Sequence, residues 1–130
     1  MRLLVDSDFL VALAKTDDSN HIKAVSKAEI FEAATIFVTP FTVPEATTVI
    51  SYKMSQGSAR TFLEESRRQN WLELPIDETI VKRADQLFLN QTKKGTSWID
   101  CLNVAMIKEF RIDGILSFDK FYKNAGITLY

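Results

Sequence analysis

Short apolar runs closed by polar or turn-forming residues recur along the chain. Leu3-Leu4-Val5 ends at Asp6, Ile36-Phe37-Val38 ends at Thr39-Pro40, and Leu72 to Leu74 precedes Pro75. Ile115-Leu116 precedes Ser117, and Ile127 to Leu129 comes last. Runs this short predict strands, and the unbroken ones, such as the first two, predict strands covered on both faces. Five strands are expected on this pattern.

Between the runs the apolar spacing lengthens to that of a helix. Ile22, Val25, Ala28 and Phe31 follow one face, and Ile80, Ala84, Leu87 and Phe88 follow another, with Asp77 placed as an N-cap. Leu102, Ala105, Met106 and Phe110 mark a further helix, and Val49, Tyr52 and Lys53 continue one that starts near Pro44. Ser58 to Gln69 reads as helical too, with Arg60, Glu64, Arg67 and Arg68 on its wetter side. Strands separated by helices need crossover connections, and a crossover buries the sheet. The expected fold class is therefore α/β: a three-layer α/β/α arrangement with a central five-stranded parallel sheet covered by helices on both faces.

Composition narrows this to one domain spanning residues 1–130, since 46% hydrophobic and 25% charged residues are ordinary for a chain with its own core. No internal repeat or linker interrupts it, and Asn90 to Thr96 is the most polar loop. Cys101 stands alone, so neither a disulfide nor a thiolate metal cluster is available. The apolar N-terminal stretch is broken at once by Asp6 and Asp8, unlike a signal peptide or membrane span, and a cytoplasmic location is expected. A net charge of −1 gives no broad positive field, so any contact with a polyanion such as nucleic acid has to be local.

The candidate chemistry lies in the carboxylates. Asp6 and Asp119 each follow an apolar strand, where an Asp also serves as a helix N-cap. Glu45, three residues after Thr42, and Asp100, three after Ser97, fit the capping-box pattern. Capping explains each acid singly. Taken together, two fall just beyond strand ends and two in opening helical turns, which in an open parallel sheet is one edge. Ligands of such sheets bind outside the carboxyl ends of strands, where strand order reverses. Acids converging there repel one another unless a cation is bound, and an all-oxygen donor set selects magnesium or manganese over zinc. Such an ion polarises a phosphodiester and lowers the pKa of a bound water.

Four segments carry a family resemblance. "VDSDFLVAL", "TPFTVPEATTVI", "SWIDCLNVAMIKEF" and "ILSFDKFY" resemble, in order and spacing, the motifs of the PIN-domain family, in particular the toxin ribonucleases of VapBC-type toxin-antitoxin pairs. The resemblance implies acids around one or two magnesium ions, with manganese as a substitute, and cleavage of RNA. It carries over Asp6 and Asp100 as metal ligands, with Glu45 and Asp119 completing the catalytic site, and Ser7 and Ser117 supporting the acids. It also implies a small antitoxin partner and a homodimer sharing apolar surface on the helices of residues 43–54 and 58–69. Many relatives have a further acid where this chain reads Lys120-Phe121. Asp8 is an extra acid nearby, read as a cap or surface residue, and Asn103 either faces the pocket or bonds locally. His21, the only histidine, reads as surface, and Cys101 as core. Lys93-Lys94-Gly95-Thr96-Ser97 lacks the glycine order of a nucleotide loop. Its lysines, like Lys53, Arg60, Arg67 and Arg68, either guide RNA phosphates or simply face solvent, and Trp98 either stacks on a base or packs. Two alternatives stay open: a PIN nuclease maturing ribosomal or transfer RNA, and a non-catalytic PIN fold whose acids survive as caps.

Overall fold

A computed structural model describes all 130 residues, Met1–Tyr130. Four strands, β1 (Arg2–Val5), β2 (Thr35–Val38), β3 (Leu72–Glu73) and β4 (Gly114–Leu116), pair in parallel in the order β3-β2-β1-β4. The helices are α1 (Ser7–Ala14), α2 (His21–Ser26), α3 (Ala28–Ala33), α4 (Thr42–Lys53), α5 (Gln56–Arg67), α6 (Glu78–Leu89), α7 (Trp98–Glu109) and α8 (Lys120–Asn124).

The period-two alternation of a strand divides the core between the two faces of the sheet. Leu3, Val5, Ile36 and Val38 pack with Phe9 and Leu10 of α1, Ala46 and Ile50 of α4, and Ala59 of α5. Leu4 and Ile115 pack on the other side with Ile80 and Ala84 of α6, Leu102 and Met106 of α7, and Tyr122 of α8. Helix α7 is buried from Cys101 to Ile107, the most enclosed helix of that layer. The α/β class and the helices on both faces are as expected.

Two details differ. Ile127 to Leu129 forms a single bridge to β4 rather than a fifth strand, so the sheet has four. Ile115 donates to the Thr128 carbonyl at 2.9 Å and Tyr130 donates back to Ile115 at 2.9 Å, with no further ladder. Gly114 permits this approach, because a Cβ there would stand 2.5 Å from the Thr128 carbonyl and from the Tyr130 ring. The helix read through Ile22, Val25, Ala28 and Phe31 breaks at Lys27 into α2 and α3, and the break resets the helical phase. Ala24 is buried as a result, while Ile22 is 84% and Val25 50% exposed.

Strand β1 connects to β2 and then β3 on one side, whereas β4 returns to its other side. The direction of winding thus reverses between the carboxyl ends of β1 and β4, the usual position for a ligand crevice. No helix is long and apolar enough to cross a membrane.

Candidate active site

Asp6 and Ser117 are the first residues beyond β1 and β4, and register places them side by side, since Val5 pairs with Leu116. The Asp6 amide donates to the Leu116 carbonyl at 3.0 Å, which extends the ladder to the crevice itself. Asp6 caps α1, its Oδ1 accepting from the Ser7 amide at 2.8 Å, yet it is only 6% exposed. Ser117 Oγ stands 3.0 Å from Asp6 Oδ2, and Asn103 Nδ2 of α7 stands 3.5 Å from Asp6 Oδ1. Local capping therefore accounts for one of its contacts, and the others come from about a hundred residues away in sequence.

Asp8 is half-buried rather than a surface residue. Its Oδ2 accepts from the Phe118 amide at 2.9 Å and lies 3.1 Å from Ser117 Oγ, while its Oδ1 is buried with no partner. The Ser117 hydroxyl has one proton for two carboxylates, and its acceptor side already receives the Asp119 amide at 3.1 Å. A proton on one of the two acids, or a cation close to both, resolves that shortage. In agreement, burial and then the neighbouring Asp8 charge push the Asp6 carboxyl up to about 7, and burial raises Asp8 as well. Lys27 lies over the Phe118 ring at 5.3 Å, where burial lowers its pKa and the negative charge of Asp8 offsets part of that.

Asp100 forms its capping box with Ser97 and is also held by tertiary contacts. Its Oδ1 accepts from the Tyr122 hydroxyl at 3.1 Å, and that hydroxyl accepts from Asn103 Nδ2 at 2.8 Å. A continuous chain of bonds thus runs from Asp6 through Asn103 and Tyr122 to Asp100. Burial raises the Asp100 carboxyl, with the charges of Asp119 and Glu45 adding to it. Burial and the charges of Asp6 and Asp100 keep the Tyr122 phenol protonated, well above its ordinary range.

Glu45 does not close the expected capping box. Thr42 Oγ1 turns to Thr39, accepting from its amide at 3.1 Å, which leaves Glu45 Oε2 to accept from Ser7 Oγ at 3.0 Å. Asp119 is exposed and caps α8 through the Phe121 amide at 2.9 Å, and it lines a cleft shared with Asp100. Hydrogen bonds thus draw Asp6, Asp8 and Asp100 into one network. Glu45 and Asp119 reach it through Ser7 and Ser117, and their charges act on Asp100.

Each acid is already engaged by hydrogen bonds, and no three His, Cys, Asp or Glu side chains stand close enough to enclose a metal ion by themselves. The donors are nonetheless all oxygens, one of them buried without a partner, and their charges are disfavoured by burial and by each other. That set fits a hard divalent cation that keeps much of its water and takes one or two carboxylates, as magnesium does. It does not fit zinc, because His21 is committed to the Ala12 carbonyl at 2.7 Å and the buried Cys101 thiol is pushed up by burial.

Sequence reasoning left out Tyr122 and read Asp8 as peripheral. Their partners lie on other elements. The signal for Tyr122 is its position three residues after Asp119, which places it one turn into a helix that the acid caps.

The fold is similar to that of VapC20 of Mycobacterium tuberculosis, a sarcin-ricin loop cleaving toxin, at a TM-score of 0.85 and 15% identity, covering 97% of this chain and 96% of that one. VapBC2 from Rickettsia felis, solved bound to a DNA fragment from its promoter, gives a TM-score of 0.71 at 10% identity, covering 100% and 98%. FitAcB from Neisseria gonorrhoeae gives 0.66 at 12%, covering 98% and 96%. At such identities these are likenesses of fold. No curated protein sequence matches the chain. The PIN domain family, however, matches residues 3–127, and the chain belongs to that family.

Proposed function

We propose that the chain is a magnesium- or manganese-dependent endoribonuclease that hydrolyses RNA phosphodiester bonds and acts as the toxin of a VapBC-type pair. Membership of the PIN domain family supports a nuclease, and the VapC and VapBC names of its fold neighbours favour the toxin setting. The observation that carries the reading is Asp6: a carboxylate 6% exposed at the β1–β4 crevice, surrounded by further acids and raised to about 7. An isolated cap has no use for such an environment, whereas functional sites collect perturbed groups of this kind.

Asp6 and Asp100 would hold a divalent ion, which would supply Lewis acidity toward the phosphodiester and a water of lowered pKa. Ser117 and Asn103 fix the plane of the Asp6 carboxylate, and Tyr122 fixes that of Asp100. One oxygen each of Glu45 and Asp119 accepts no bond within the chain, so each can orient a water or take up its proton. The partners are then RNA, a small antitoxin and a second copy of the chain. Helix α4 displays Tyr52, 88% exposed, and Met54, the residue that caps its carboxyl end and is 41% exposed, for contact with another protein; α5 exposes no comparable side chain.

Cleavage of an RNA panel with manganese by wild type, Asp6→Asn and Asp100→Asn tests this. Cleavage by wild type and a loss of two or more orders of magnitude in both variants is expected. Equal rates in all three remove the mechanism. One observation favours a second reading, a non-catalytic binding module: three of the acids do cap helices, and no three acids enclose an ion. No metal-dependent cleavage of any RNA by wild type would select it.

A further inference from the structure

The cleft beside Asp100 and Asp119 is not lined by acids alone. It measures about 420 Å³, within the range of pockets that hold a small ligand, and Asp100 and Asp119 share it with Lys93, Lys94 and Thr96 of the α6–α7 loop and Asn124 of α8. We propose that this cleft seats a phosphate of the RNA strand next to the one being cleaved, held by Lys93 and Lys94. The proposal rests on the nuclease reading above and assigns it a substrate subsite.

Three observations support it. First, the two lysines are uncommitted. Every ion pair of the molecule lies elsewhere, at Lys15–Asp17, Arg67–Glu73, Lys82–Glu78 and Arg83–Glu109, although two carboxylates share the cleft with Lys93 and Lys94. Cations that leave neighbouring acids unpaired remain available to an incoming anion.

Second, the loop is held. Thr96 donates to the Lys93 carbonyl through its amide at 3.4 Å and its hydroxyl at 3.1 Å, closing a turn with Lys94 and Gly95 at its centre. Gly95 takes φ +89°, which that turn requires and other residues resist. On one side the loop is tied to α6 by Gln91 Nε2 bonding the Leu87 carbonyl at 3.0 Å, and on the other it runs into the Ser97 cap of α7. The lysines are thus presented from a fixed backbone, although their side chains are free.

Third, the charge of the molecule demands such a feature. A net charge of −1 and a crevice of carboxylates repel a polyanion, so substrate has to be drawn in by cations beside the acids themselves. Lysine, a point charge without a fixed fork, suits a phosphate contact that fixes register without reading a base. A protein partner with acidic side chains is the competing occupant, and the sharing of the cleft with Asp100 and Asp119 favours RNA over it.

The test uses a short fluorescein-labelled single-stranded RNA, with anisotropy in EDTA across a salt series and steady-state cleavage in manganese. The doubly substituted Lys93→Ala/Lys94→Ala protein should bind about tenfold more weakly at low salt, with a salt slope smaller by about 1.4. Its KM should rise with kcat little changed. Lys93→Arg/Lys94→Arg should restore both, and Lys108→Ala, at the far end of α7, should match wild type. Unchanged binding and slope in the double alanine variant would overturn the proposal, as would failure of wild type to bind the RNA. Tighter binding of polyglutamate than of RNA at the same lysines would overturn it in favour of a protein occupant. The two readings separate cleanly. Loss of binding with no cleavage by wild type sinks the nuclease and keeps the subsite, while cleavage with unchanged KM does the reverse.

Discussion

At the scale of single residues, the environment of Asp6 sets a pH dependence whose sign is fixed. A carboxyl raised to about 7 in the fold and near 4 in the unfolded chain binds its proton more tightly when folded. Its contribution to stability is therefore greatest below pH 4 and declines as pH rises to about 7, where burial of the ionised form costs on the order of a few kcal/mol. Asp6→Asn removes the ionisation while keeping the shape. In EDTA the variant should melt above wild type at pH 7.5, and the gap should close as pH falls toward 4; a constant gap across that range contradicts the assignment. The acids were legible in the sequence because each stands at a helix start, where spacing and strand ends mark it. Asp8 and Tyr122 were not, because what makes them part of the site is Ser117 for one and Asn103 with Asp100 for the other. Those meetings depend on β4 lying beside β1, which no local pattern encodes.

At the scale of elements, the apolar runs marked β1, β2 and β4 because their apolar residues are buried on both faces of the sheet, so composition alone separates them from their flanks, whereas both residues of β3 are exposed. The last run failed as a strand for a reason that is geometric: it reaches β4 at one bridge, where Gly114 leaves room for Thr128 and Tyr130. Gly114→Ala should consequently destabilise the protein by about 1–3 kcal/mol, since the added methyl meets the Thr128 carbonyl as well as the Tyr130 ring, and the backbone contact cannot be relieved by moving a side chain. Chemical denaturation checks this; a variant as stable as wild type would mean that the terminal segment is not packed against β4. The α2–α3 region misled in the opposite way. Ile22, Val25, Ala28 and Phe31 have helical spacing, but the break at Lys27 turns the first two outward. Periodicity reports a face only while the helix continues, and the break has no proline or glycine to announce it.

At the scale of the whole molecule, winding reverses between β1 and β4, and that reversal assembles residues from positions 6 to 122 into one crevice. The layers on either side provide complementary parts: α1 and α4 bring Asp8, Ser7 and Glu45, and α7 and α8 bring Asp100, Asn103 and Tyr122. Sequence order and the α/β class pointed to that edge. The bonds that join the acids, and the cleft with its lysines, emerge only once both layers are placed on the sheet. On the proposed function, this crevice binds a divalent ion through Asp6 and Asp100. Calorimetric titration of manganese into wild type, Asp6→Asn and Asp100→Asn at neutral pH tests it most directly. Saturable binding by wild type, weakened at least about tenfold by each substitution, is the predicted result. Equal binding by all three proteins, or none by wild type, would contradict it.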